Sequence, residues 1–385
     1  VQAGSLLTDG RTTLRLTKDA RAIDAGTELQ ISLAPSLAGT MLESLDYLVG
    51  YPYGCIEQTM SRFMPDVMVA EVLRTIGRDD PKLTAELPKM VKTGVERIQG
   101  MQNPDGGFGW FAQNESHPYV SAYVLYGLAL AKRERFEVPA PLFDSAVAFL
   151  EGRLDARTDD LDGRAYLTYA LTVAGRNRSA DLRDLVNRRA GLNDYAKAVL
   201  ALSLSATNEA TLARTVVADL ERSAIVVGGR CHWEGSTVHY GAWMSNPVET
   251  TAFAARALLA VSPTSPKLAQ AVAWMVERRQ ANGQYTTTKD TAAVVLALAE
   301  HVRRTGELDP DLSISVEING QGSYSGRFGA ADVAKPSRTI TLPGSALRAG
   351  ANTIVIERTG RGALYHSVML SQTVRMDPMV AQDNG

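Results

Sequence analysis

Cysteine is scarce, with two in 385 residues, Cys55 and Cys231. Two cysteines make no disulfide framework, and spacing alone does not show whether they form one bridge. Histidine is scarce too: His117, His232, His239, His301 and His366 are scattered. Charge of one sign is missing, because 40 Lys and Arg stand against 42 Asp and Glu, a formal net charge of −2. Without a basic field, nothing points to nucleic acid. No run of about 18 apolar residues occurs, so no membrane-spanning helix is expected. The start, Val1-Gln2-Ala3, carries neither an initiator Met nor a signal peptide. We therefore expect a piece or a mature part of something longer.

What remains is ordinary globular material, 45% hydrophobic and 21% charged,. The length predicts two or three domains and a large core. Residues 11–33 read as strands, because Leu14 and Leu16, then Leu29, Ile31 and Leu33, alternate with polar neighbours,. Asp24-Ala25-Gly26 is the expected turn between them,. From Leu37 to about Arg304, Ala and Leu dominate at three- and four-residue spacing,. About twelve helices are expected, starting near Leu37, Cys55, Thr84, Pro118, Pro141, Leu161, Ser179, Asn193, Glu209, Pro247, Ser265 and Asp290,. Val120-Ser121-Ala122-Tyr123, Thr250-Thr251-Ala252-Phe253 and Asp290-Thr291-Ala292-Ala293 begin weakly similar helices,. Two of them follow Gly-aromatic loops, Gln102 to Trp110 and Gln280 to Tyr285. Repeated buried helices of this kind suggest an α/α toroid of six hairpins, with an open solenoid as competitor. From Leu312, alternation returns at Ile314, Val316 and Ile318, and Asn319-Gly320 signals a hairpin,. The expected organisation is mostly α: a β-domain over 1–35 and 309–376, interrupted by a helical domain over 36–308, with 377–385 as tail or linker,.

The most informative stretch is Tyr51-Pro52-Tyr53-Gly54-Cys55-Ile56-Glu57-Gln58. Pro52 and Gly54 shape a loop that runs into a helix start. Cys55 then sits at a helix N-terminus, an environment that favours a thiolate. Gln58, three residues on, shares its helix face. A thiolate against a carboxamide carbon can displace ammonia and leave a Cys–Gln thioester. Such a bond survives only where water is excluded, and Tyr51, Tyr53 and Phe63 are candidate shields. Exposure turns the acyl group into an electrophile for amines and hydroxyls. The competing interpretation is a reduced Cys in a helical core, since Cys-x-x-Gln alone is a weak signal.

Gly54-Cys55-Ile56-Glu57-Gln58-Thr59-Met60-Ser61-Arg62-Phe63-Met64-Pro65 resembles the thioester segment of the alpha-2-macroglobulin and complement family, most of all its bacterial members. Gly283-Gln284-Tyr285-Thr286-Thr287-Thr288-Lys289-Asp290-Thr291 resembles a later loop of the same family. The resemblance implies a toroid inserted into a CUB-like β-sandwich. It implies a Cys55–Gln58 thioester, with Gly54, Glu57 and Met60 beside the three aromatic residues as shielding or positioning residues. It also implies a protease inhibitor used in bacterial defence, not an enzyme. After bait cleavage elsewhere in the parent protein, a protease Lys would be captured on Gln58. Partners would be proteases and macroglobulin-like domains of the same parent, in the periplasm or cell envelope, with no cofactor or metal. Members that prefer hydroxyl targets carry a His in the loop matching Arg157-Thr158-Asp159-Asp160-Leu161-Asp162-Gly163. Its absence here predicts amine-selective transfer.

Other features carry less. His232-Trp233-Glu234 with His239 invites a metal, but four suitable ligands are not evident. Asp159-Asp160-Leu161-Asp162 and the Gly-aromatic loops faintly resemble toroid enzymes acting on isoprenoids or sugars. Carboxylates at a helix N-terminus and toroid packing explain both. A helical-repeat binding module with an inert Cys is the third alternative.

Overall fold

Along the middle of the chain, small residues recur beside large ones, and such faces let helices pack closely on both sides. The computed structural model describes residues 2–38, 54–75, 81–156, 160–235, 246–280, 284–305, 307–333, 335 and 337–374. The chain divides into two compact units, Val1–Thr40 with Thr305–Gly385, and Met41–Arg304.

The second unit holds eleven α-helices among the described residues. They are α1 (Ile56–Thr75), α2 (Pro81–Gln99), α3 (Pro118–Arg133), α4 (Ala140–Asp155), α5 (Leu161–Val173) and α6 (Ser179–Asn187). Then come α7 (Asp194–Ala206), α8 (Ala210–Ser223), α9 (Pro247–Val261), α10 (Pro266–Arg278) and α11 (Thr288–Thr305). The helix expected from Leu37 lies, beyond Ala38, outside the described residues. Odd and even helices differ in kind. In α3 every residue from Tyr119 to Ala131 is buried, and in α9 every residue from Val248 to Leu259. The even helices bury one stripe only, as α8 does with Ala213, Val216, Val217 and Leu220,. Successive odd helices pack on one another from α1 through α9. Arg256 ties α9 to α11 and α3: its guanidinium donates to both Glu300 oxygens at 2.9 Å and to Tyr126 Oη at 3.2 Å. Met64, Tyr123, Tyr166, Tyr195, Phe253 and Leu296, one from each odd helix, line a single space of about 20 Å3. That is room for about one water.

The weak internal repeat has a structural counterpart. Phe108, Trp233 and Tyr285 are each buried ahead of an odd helix. Their backbone N–H groups donate to Ser121, Thr251 and Thr291 hydroxyls at 2.8, 3.1 and 3.0 Å. These three hydroxyls hold the same place in the three similar sequences. At the start of α11, Thr287 and Asp290 each accept the other's N–H at 3.1 Å, a capping box,.

In the first unit, β1 (Gln2–Leu6), β2 (Gly10–Lys18) and β3 (Glu28–Ala34) precede the helices. Five strands follow them: β6 (Asp311–Ile318), β7 (Gln321–Phe328), β8 (Arg338–Pro343), β9 (Gly350–Arg361) and β10 (Leu364–Ser371). They form two antiparallel sheets, ordered β1-β10-β3-β8 and β2-β9-β6-β7. Early and late strands interleave, with Ile31 opposite both Val368 and Ile340, and Leu14 opposite Ile354. Leu29, Ile31 and Leu33 join Ile314, Val316 and Ile356 in one apolar core between the sheets,. Asn319 and Gly320 turn the β6–β7 hairpin with φ of 54° and 80°, the mirror-image turn that favours this pair,. One hairpin has no counterpart in the sequence reading: β4 (Ile225–Val227) and β5 (Arg230–His232), joined at Gly228-Gly229. Three-residue strands are too short for alternation to register.

Candidate functional site

Cys55 caps α1. Its carbonyl accepts the first helical bond, from Thr59 N–H at 3.0 Å. The next N–H, of Ile56, would be an orphan at a helix start. Trp110 O accepts it at 3.0 Å, so the Gly-aromatic loop before α3 anchors this end of α1. Gln58 is the third helical residue, and its side chain folds back so that Oε1 accepts the Cys55 N–H at 3.2 Å. That is one half of a capping box. In a full box the cap side chain aims at the third residue. Here the cap side chain is a thiol, so thiol and carboxamide belong to the same single turn.

Gly54 makes room for this. A Cβ on Gly54 would lie 1.6 Å from Gln58 Oε1 and 2.8 Å from its Cδ. The loop end is held from α2, because Arg97 donates to Gly54 O at 3.0 Å and to Thr59 Oγ1 at 3.1 Å. Thr59 Oγ1 in turn donates to Cys55 O at 3.0 Å. Nothing in the sequence singles out Arg97. It reads as a basic residue closing a helix, which is where cations are favoured anyway,.

The other candidate residues take varied places. Tyr51 and Tyr53 lie outside the described residues. Glu57 accepts from Ser61 Oγ at 2.7 Å along the helix. Met60 is fully buried and faces Gly127 on α3, where a Cβ would meet Met60 Cε at 2.4 Å. Phe63 is buried against Gly94 on α2, where a Cβ would meet its ring at 2.7 Å. Cys55 is half-buried and unbridged.

Residues 30–152 and 181–301 match the family model described as "A-macroglobulin TED domain", well over half of the chain. The chain belongs to the A-macroglobulin TED domain family. Among its relatives, the thioester-containing protein 1 allele R1 of Anopheles gambiae is 21% identical over 336 residues, 81% of this chain and 24% of that protein. The alpha-2-macroglobulin of Thermotoga maritima is 25% identical over 271 residues, 70% of this chain and 15% of that one. The chain thus spans a quarter or less of the length of these relatives. Its fold resembles native Escherichia coli alpha-2-macroglobulin from domain MG7 to the C-terminus, with a TM-score of 0.62 at 17% identity, over 98% of this chain and 58% of that one. It also resembles Salmonella alpha-2-macroglobulin reacted with methylamine, with a TM-score of 0.61 at 18% identity, over 98% of this chain and 24% of that one.

Elsewhere in this TED-family chain, those remaining sequence candidates that lie among the described residues are engaged structurally. Asp160 caps α5 by accepting Gly163 N–H at 2.9 Å, and it also accepts from Tyr119 Oη. Asp162 accepts from the backbone and side chain of Asn193 at 2.9 and 2.7 Å. Asp159 lies outside the described residues. His232 stacks flat on Trp274 with ring centroids 5.0 Å apart. His239 is outside the described residues, and among those described no cluster of His, Cys, Asp and Glu could hold a metal. Cys231 is fully buried, its thiol bonded to Lys267 O, and burial pushes it up to about 11. No helix among the described residues is long and apolar enough to cross a membrane.

Two buried acids escaped sequence reasoning. Glu249 pairs with Lys289 at 2.7 Å beside the central space, and burial pushes its carboxyl up to about 7 while Lys289 pulls the other way. Asp66 is buried within α1, and burial pushes it too up to about 7 against the pull of Arg62. Its Oδ1 has no hydrogen-bond partner among the described residues. No local sequence pattern marks either acid, because it is the packing of other helices that buries them,.

Proposed function

We propose that this chain is the reactive part of a macroglobulin-type protease inhibitor, and that Cys55 and Gln58 close its internal thioester. The observation that carries the reading is the turn in which Gln58 Oε1 accepts the Cys55 N–H, over a glycine that leaves it space. In forming the bond, Cys55 Sγ attacks Gln58 Cδ. The Sγ–Cδ bond forms, the Cδ–Nε2 bond breaks, and ammonia leaves with the thiol proton. In reacting, an amine nitrogen attacks Cδ, the Sγ–Cδ bond breaks, and the thiolate takes the amine proton. At both steps negative charge grows on Oε1.

The remainder of the proposal follows the family. The odd helices form the inner ring of an α/α toroid, and the interleaved sheets are a CUB-like sandwich split by it. Bait cleavage in the parent protein exposes the thioester, and a protease Lys becomes amide-linked to Gln58. Tyr51, Tyr53, Met60 and Phe63 help keep water out. Shielding from further domains, and a place in the periplasm or cell envelope, belong to the same proposal. The absence of His from residues 157–163 favours amines over hydroxyls,. A toroid enzyme for isoprenoids or sugars is disfavoured by a central space of about 20 Å3. Ligand pockets run to roughly 300–1,000 Å3.

The test is to treat the chain with methylamine or glycerol and map the products. Methylamine should label Gln58 alone and release the Cys55 thiol, with glycerol far slower. Ester formation at a matching rate would refute the amine preference. No label at Gln58 would refute the thioester.

A further inference from the structure

One contact of Arg97 falls on the peptide unit joining Gly54 to Cys55. Its carbonyl oxygen accepts from Arg97 Nη2 at 3.0 Å. Its N–H donates to Gln58 Oε1 at 3.2 Å. A cation on the oxygen of a peptide draws electron density from its nitrogen and makes the N–H a stronger donor, as hydrogen bonds in a chain polarise one another. We propose that Arg97 is a positioning residue of the Cys55–Gln58 reaction, acting through the Gly54–Cys55 peptide to stabilise the oxyanion on Gln58 Oε1. The proposal rests on the thioester reading and adds to it a source of acyl activation.

The chemistry fits the place. Both thioester formation and amine attack pass through a tetrahedral carbon whose charge gathers on the same oxygen, Oε1. A preorganised N–H aimed at that oxygen lowers the barrier for both. At 3.2 Å the bond to the uncharged carboxamide is at the long end of the usual range, and it can tighten as charge develops,. The second contact, from Arg97 Nε to Thr59 Oγ1 at 3.1 Å, fixes the guanidinium against the first turn of α1. Arg97 is thus braced by the helix that it serves and carried by another, α2. It acts through the peptide and is not itself a catalytic residue.

Removing an oxyanion donor outright costs roughly 100- to 1,000-fold in rate. Here the donor stays and loses only its polarisation, so we expect about a 10-fold loss. The experiment compares the full chain with Arg97→Met and Arg97→Lys. Thioester content is read by intact mass, the methylamine rate by thiol release per thioester present, and folding by thermal melting. Arg97→Met should melt normally and react about 10-fold more slowly, or form little thioester. Arg97→Lys keeps the charge and should recover most of the rate, a rescue that a purely structural role would not require. Arg97→Met reacting at the wild-type rate overturns the proposal and leaves the thioester reading intact. So does a folded Arg97→Lys that is as slow as Arg97→Met. A wild-type chain with no thioester overturns both.

Discussion

Gly54→Ala separates the chemistry of the site from its stability. The added methyl would stand 1.6 Å from Gln58 Oε1 and 2.8 Å from Cδ, far inside contact distance. The clash falls on the tip of a flexible side chain, so Gln58 can swing away and leave the backbone unmoved. Swinging away breaks the bond to Cys55 N–H, which is worth about 0.5–1.5 kcal/mol. Against that, Ala for Gly narrows the unfolded ensemble and contributes about 0.4–1 kcal/mol. The net change in stability should therefore stay within about 1 kcal/mol. The carboxamide, however, no longer lies in the turn with the thiol, and the thioester should not form. Thermal melting measures the first effect, and intact mass with thiol titration the second. A Gly54→Ala chain with full thioester content would refute the account of why glycine precedes Cys55. A loss of several kcal/mol would refute the claim that Gln58 absorbs the clash.

Three further outcomes follow from buried polar contacts. Arg256→Met leaves Glu300 without its two 2.9 Å bonds and should cost about 3–5 kcal/mol in urea unfolding,. Thr291→Val keeps the shape but strips the acceptor from the Tyr285 N–H at 3.0 Å, for a loss of about 1–3 kcal/mol,. Asp66 is raised in the folded state from 3.8 to about 7, so its proton is held more tightly folded than unfolded. Its contribution to stability therefore falls as pH rises from about 4 through 7, and Asp66→Asn should be more stable than wild type at pH 8, by up to about 4 kcal/mol. A melting profile in which Asp66→Asn and wild type keep a constant gap from pH 4.5 to 8 would contradict that.

The helices and sheets were legible because their periods differ. Leu29, Ile31 and Leu33 alternate and are wholly buried on one face of β3. From Val248 to Leu259 apolar residues fall on every side of the helix, and that whole stretch of α9 is buried. The similar starts at Ser121, Thr251 and Thr291 were visible as letters, but their shared task, accepting an aromatic residue's N–H, needed coordinates. At the site, local spacing placed Gln58 on the face of Cys55. It could not find Arg97, because a contact spanning 43 residues leaves no local trace. Asp66 and Glu249 were hidden for the same reason, since what raises a buried carboxyl is the packing of other helices around it.

The central claim is that Gln58 carries its acyl group to Cys55. The intact mass of the freshly purified chain tests it most directly, read with the number of titratable thiols before and after methylamine. The account predicts a mass one ammonia short of the sequence, one thiol before treatment and two after. A full-length mass with an unmodified Gln58 amide, and two thiols at the outset, would contradict it.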